Sequence, residues 1–187
     1  MNAVFIENDD SFSWNVIDAL PFDRADIRIV SGSDRGGAAD AVSSASALVI
    51  GPGPMDPVRA GIVEIVTEAA RRGLPTLGIC LGHQAVGLAF GARLERTEPH
   101  HGKRSTFVLK ESRLFRAVQG PISAMRYHSL ALTEVVSPLV VVAETGQGVI
   151  MAVEHRTLPI AGLQFHPDSF GTPRGRELLS AFFEAVT

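Results

Sequence analysis

The chain has 187 residues, 45% of them hydrophobic and 20% charged, with a formal net charge of −3 at neutral pH. That length fits one domain (residues 1–187) with an ordinary buried core, and that charge gives no reason to expect nucleic acid or an anionic membrane as a partner. No apolar run approaches the roughly 20 residues of a membrane helix, the N-terminus lacks a basic leader region, and the single cysteine excludes an internal disulfide, so the expected compartment is the cytoplasm.

In chain order, Ala3 to Ile6 predicts a buried strand, and Asp10-Ser11 a cap for a helix running to Leu20. Ile27 to Val30 and Ala47 to Ile50 are further β-rich runs. From Gly61 the apolar positions Ile62, Ile65, Val66 and Ala69 recur at helical spacing, and Gly73 ends that helix before Pro75. Thr76 to Ile79 is then a strand that feeds Cys80. Strands alternating with helices imply an α/β fold with a mainly parallel central sheet and helices on both faces.

From Arg93 to Phe165 the helical signal weakens and β-branched runs take over: 106–109, 139–143, 149–153 and 160–165. This β-rich extension either prolongs the sheet or packs beside it as a meander. The tail predicts a helix with Thr172-Pro173 at its start and Leu178, Leu179, Phe182, Phe183 and Val186 on one face.

The most informative segment is Gly78-Ile79-Cys80-Leu81-Gly82. Glycines two residues to either side of a reactive side chain, between a strand and a helix, form the pattern of a nucleophile elbow: the turn is so sharp that Cβ atoms at the glycines would clash. A helix beginning just after Cys80 aims unpaired N–H groups at the sulfur and favours the thiolate. Ligands in parallel α/β sheets bind at the carboxyl ends of the strands, where Cys80 falls.

A cysteine nucleophile needs a base, a group that orients the base, and donors for an oxyanion. His166, in Gln164-Phe165-His166-Pro167-Asp168, ends an apolar strand and has a carboxylate two residues on, with Pro167 stiffening the link. Gly51-Pro52-Gly53-Pro54 is a second strand-to-loop corner at the same sheet edge. There the N–H of Gly53, with that of Leu81, can form an oxyanion hole. The other histidines carry less: His100-His101 has no third ligand at metal spacing, His155 reads as a surface residue, and His83 as one that packs or caps.

Taken together, these segments resemble the class I (triad) glutamine amidotransferases, and within them the small subunits of anthranilate synthase and aminodeoxychorismate synthase. The likeness covers essentially the whole chain. Asn8-Asp9-Asp10-Ser11-Phe12-Ser13-Trp14-Asn15 is similar to an N-terminal signature of that subfamily, Gly51-Pro52-Gly53-Pro54 to its oxyanion loop, and Gly78 to Ala85 to its nucleophile motif. His101-Gly102-Lys103, Arg126-Tyr127-His128-Ser129-Leu130 and Gln164-Phe165-His166-Pro167 follow in the family's order.

The resemblance implies a glutaminase in which Cys80, His166 and Asp168 form the catalytic triad and Gly53 and Leu81 hold the oxyanion. Gly51, Pro52, Gly53, Gln84, Ser129 and Leu130 would bind L-glutamine. The ammonia would pass to a separate chorismate-binding synthase subunit, in the tryptophan branch or alternatively the folate branch. No metal or other cofactor is implied for the glutaminase step, whereas the partner of such enzymes uses Mg²⁺. The Asp9 to Phe12 loop and the His101-Gly102-Lys103 loop are candidates for contact with that partner.

One departure stands out: the family's triad acid is usually glutamate, and here it is Asp168. Aspartate is one methylene shorter, which leaves its carboxylate about 1.5 Å short unless the backbone moves. That predicts a weak basal glutaminase that tightens on the partner, and it is the one feature favouring the alternative of a catalytically silent regulatory subunit.

Overall fold

The computed structural model describes residues 2–186. Seven strands form one sheet in the order β2-β1-β3-β4-β9-β8-β7: β1 (Ala3–Glu7), β2 (Ile27–Ser31), β3 (Ala47–Ile50), β4 (Thr76–Ile79), β7 (Leu139–Glu144), β8 (Ile150–His155) and β9 (Ile160–Leu163). The five strands from β2 to β9 in that order are parallel, and β8 and β7 add on antiparallel.

The apolar runs are continuous because these strands are covered on both faces. In β1, Ala3 and Phe5 enter one core with α1 (Ser13–Ala19) and α5 (Gly175–Val186), while Val4 and Ile6 enter the other. That second core packs under α2 (Arg35–Ser44), α3 (Ile62–Arg71) and α4 (Leu81–Ala89). In β3 the same alternation sends Val49 one way and Ile50 the other.

Both options for the β-rich extension are realised. Strands β7 and β8 prolong the sheet, whereas β5 (Arg93–Val108) and β6 (Pro121–Thr133) form a separate antiparallel ribbon. The ribbon's register slips between Arg96 and His100 and again between His101 and Lys103. These irregularities fall where the ribbon passes the functional cavity, and bulges of this kind re-aim side chains.

Three expectations are corrected. The first helix starts at Ser13 with Phe12 as its N-cap residue and no side-chain cap. Asp10 instead closes an Asx turn, its Oδ1 accepting from the N–H of Phe12 at 2.8 Å. The strand at 160–165 stops at Leu163, because Phe165 and His166 turn toward the ribbon, where the His166 N–H donates to Met125 O at 3.0 Å. His155 is buried rather than on the surface: its ring packs on Phe90 with centroids 4.9 Å apart, and its Nδ1 accepts from the N–H groups of Thr157 and Leu158. Among the described residues, no helix is long and apolar enough to cross a membrane.

Candidate active site

Cys80 sits at the tip of the β4–α4 turn with φ +52° and ψ −97°, a backbone conformation that non-glycine residues rarely adopt. Holding it costs about 1–3 kcal/mol, supplied by the surrounding structure. The clamp is visible: the Cys80 N–H donates to Leu163 O at 2.8 Å, and Cys80 O accepts from the Gln84 N–H at 3.1 Å. Both flanking glycines are required by closeness. A Cβ on Gly78 would lie 2.3 Å from Gly82 O, and one on Gly82 would lie 2.3 Å from Ile50 O.

Cys80 opens into a cavity of about 350 Å³ at the carboxyl end of the sheet. Of the residues singled out in the sequence, Gly53, Cys80, Gln84, Ser129, Leu130 and His166 line it. Gly51, Pro52, Leu81 and Asp168 do not. Gly51 lies one turn back, where its carbonyl accepts from Asn8 Nδ2 at 3.1 Å and its N–H donates to Ile6 O at 3.0 Å. Leu81 is the first residue of α4, where an N–H has no partner within the helix. Its side chain abuts Gly53, since a Cβ on that glycine would meet Leu81 Cδ2 at 2.5 Å. The two candidate oxyanion donors therefore belong to neighbouring residues, of which Gly53 lines the cavity.

His166 is positioned from three sides. Its carbonyl accepts from Thr172 Oγ1 at 2.7 Å, and the Phe12 and Tyr127 rings pack against the imidazole with centroids 5.5 and 5.0 Å away. Burial works against a cation here, but the proximity of Asp168 and Cys80 outweighs it and holds the His166 pKa up at about 10. Asp168 contributes by closeness rather than by a formed hydrogen bond. Its Oδ1 stands 3.3 Å from His166 Nδ1, off line, and both carboxylate oxygens are buried without a hydrogen-bond partner.

Two polar residues that the sequence did not mark as functional complete the site. Gln164, fully buried at the end of β9, points Nε2 at Cys80 Sγ (3.7 Å) and accepts from Gln84 Nε2 at 3.3 Å. Asn8 anchors the loop that carries Gly53. Both stood inside segments already singled out, Gln164 ahead of Phe165-His166-Pro167 and Asn8 at the head of the N-terminal signature, but neither carried a role of its own there. His83 is fully buried behind β9, and burial, the dominant cause, pushes its pKa down to about 3, so it packs as a neutral ring.

The chain matches the model of the family "Glutamine amidotransferase class-I" over residues 4–186. It is 40% identical over 190 residues to an aminodeoxychorismate synthase of Streptomyces griseus, an alignment spanning 97% of this chain but only 26% of that protein's length. It is 36% identical over 192 residues to an anthranilate synthase component 2 of Azospirillum brasilense, covering 98% of this chain and 95% of that one. Among solved structures, a glutamine amidotransferase of Thermotoga maritima superposes with a TM-score of 0.72 at 15% identity, over 98% of this chain and 80% of its own, a likeness of fold. A matched family model from end to end, an α/β sheet with helices on both faces, and a cysteine elbow facing a histidine place this chain in the class I glutamine amidotransferase family.

Proposed function

We propose that the chain hydrolyses L-glutamine through Cys80, His166 and Asp168 and delivers the ammonia to a chorismate-using synthase subunit, in first place an anthranilate synthase. The observation that carries this reading is Cys80 on its strained elbow sharing one cavity with His166. Cys80 attacks the side-chain carboxamide as a thiolate, and the N–H groups of Gly53 and Leu81 take the charge of the tetrahedral oxyanion. His166 protonates the departing ammonia and then draws a proton from the water that hydrolyses the glutamyl thioester. Asp168 holds the imidazole through both steps. Gln84, Ser129 and Leu130, with the Gly51-Pro52-Gly53 loop, bind the amino-acid end of the substrate. The glutaminase step takes no metal or other cofactor in this scheme; Mg²⁺ belongs to the synthase.

The test mixes this chain with a synthase subunit, chorismate and Mg²⁺ and follows anthranilate fluorescence. Cys80→Ser is expected to reduce the glutamine-dependent rate by about 10³-fold or more, while free ammonia still supports the wild-type rate. A Cys80→Ser protein that keeps its glutamine-dependent rate would overturn the mechanism. The likeness to the Streptomyces griseus protein favours a second destination, aminodeoxychorismate, which the same assay resolves with a folate-branch synthase.

A docking face is consistent with such a partner. Trp14, Met55 and Phe170 stand 57%, 49% and 95% exposed, on the segments that follow Phe12, Gly53 and His166 respectively. Met55 lines the Cys80 cavity, and large exposed apolar side chains of this kind are the usual anchors of an interface. Phe170→Asp is expected to weaken association with the synthase by about tenfold or more. Its glutaminase activity without partner should stay unchanged, and sedimentation velocity together with a coupled glutamate assay reads both.

A further inference from the structure

The β5–β6 ribbon contains a buried cation that, among the described residues, forms no ion pair. Arg126, in the middle of β6, is only 2% exposed. Its Nε–H donates to His128 Nε2 at 3.1 Å and its Nη1 to Ser105 Oγ at 3.0 Å, both neutral acceptors; Nη2 is buried with no acceptor. Burial drives the arginine's pKa down, and the carboxylate that opposes this is Glu98, which is exposed and lies 3.5 Å from Lys103 Nζ. Buried guanidinium groups are ordinarily neutralised and fully hydrogen-bonded, because an uncompensated charge away from water is costly.

Arg126 lines a cavity of about 400 Å³ that shares no lining residue with the one at Cys80. The walls bring Lys103, Arg104, His100 and Ser105 toward it, so three permanent cations (Lys103, Arg104, Arg126) face one carboxylate (Glu98). The volume is that of a small-molecule site, and a guanidinium with a free N–H edge matches a planar carboxylate or a phosphate oxygen pair.

We propose that this cavity binds a small oxyanion, a carboxylate or phosphate group, seated on Arg126 and flanked by Lys103 and Arg104. The bound anion is felt in the wall of the neighbouring cavity. Because Arg126 Nε–H needs a lone pair on His128 Nε2, the imidazole proton lies on Nδ1, where it donates to Leu130 O at 2.8 Å. The same carbonyl accepts from Gln84 Nε2 at 3.3 Å, and Gln84 lines the Cys80 cavity. An anion that draws on the guanidinium therefore acts on His128 first.

The test titrates histidine-labelled protein with inorganic phosphate and, in parallel, with malonate. Ionic strength is kept constant with sodium chloride, and the ring resonances of His128 are followed by NMR. The expected result is a saturable shift with at least one of the two anions, its midpoint raised about fivefold by Arg104→Gln and by Lys103→Gln. Both of those side chains are exposed, so their loss leaves the fold in place. A preference for phosphate or for malonate assigns the oxyanion. A response that never saturates with either anion, or a saturable one that both variants leave untouched, overturns the proposal. The titration requires no turnover, so its outcome is separate from that of the glutaminase reading.

Discussion

Replacing Asp168 with Asn is expected to lower glutamine turnover by about 10²–10⁴-fold with little change in KM, the loss expected when a triad's orienting carboxylate is neutralised. Nothing else in the described structure bonds to that carboxylate: it is buried, 3.3 Å from His166 Nδ1, and without a hydrogen-bond partner on either oxygen. Its contribution to the site is therefore its charge beside the imidazole. An independent readout follows from linkage. The folded His166 lies above its ordinary 6.5, at about 10, so its contribution to stability is fully present below about 6.5 and is lost as pH rises through about 10. The thermal midpoint should fall across that window in the wild type and fall less in Asp168→Asn. A variant with wild-type turnover and an unaltered pH profile of stability would show that the carboxylate is a bystander.

The reverse substitution probes the length of the stem. Asp168 also stands at the wall of a separate cavity of about 240 Å³, with Asn15 and Arg176. Asp168→Glu is then expected to raise turnover without a partner by up to about tenfold, since a misplacement near 1 Å costs on the order of 100-fold. Steady-state glutaminase assays with and without the synthase check it. Equal rates for the two residues in both conditions would mean that Asp168 already reaches far enough.

How much of this could be read in the chain depends on where the causes lie. Strands covered on both faces need continuous apolar runs, so β1, β3 and β4 stood out at once. The elbow was legible because the clash it avoids is local: Gly78 and Gly82 are themselves the evidence. Helix α2 went unnamed since Arg35 to Ser44 contains two glycines and two serines, and what holds it is Ala38, Ala41 and Val42 packed against the sheet. The first half of β5 is charged and mostly exposed; its partner is β6, 28 to 40 residues away, and no local pattern announces the pairing. Asn8 and His155 eluded the reading for the same reason, as each is defined by a distant backbone group or ring. The shorter acid at position 168, by contrast, was legible from the residue type alone.

Gly175→Ala should be the most damaging single-atom change outside the cavity, because it sets the start of α5 against the backbone that carries His166 and Asp168. A Cβ at that position would stand 1.6 Å from Pro167 O and 2.5 Å from its carbonyl carbon, far inside contact distance, and a carbonyl cannot swing away as a side-chain tip can. Either α5 slides, withdrawing Leu178, Leu179, Phe182 and Phe183 from the core beneath it, or the turn at 166–168 gives way. Overpacking of this severity costs about 3 kcal/mol, which for a chain of this size lowers the melting temperature by about 6–12 °C. Turnover should fall too, by about 100-fold if the turn moves 1 Å. Gly146→Ala is the matched control: nothing lies within 4 Å of its Cβ, and a change within about 0.5 kcal/mol is expected. Calorimetry of the two variants separates the outcomes. A Gly175→Ala protein that melts with the wild type would mean that the helix and the catalytic turn are free to part. If stability falls but activity survives in the folded fraction, α5 has slid and the turn has held, and the site is anchored instead by Thr172, which donates to His166 O and accepts from the Met125 N–H.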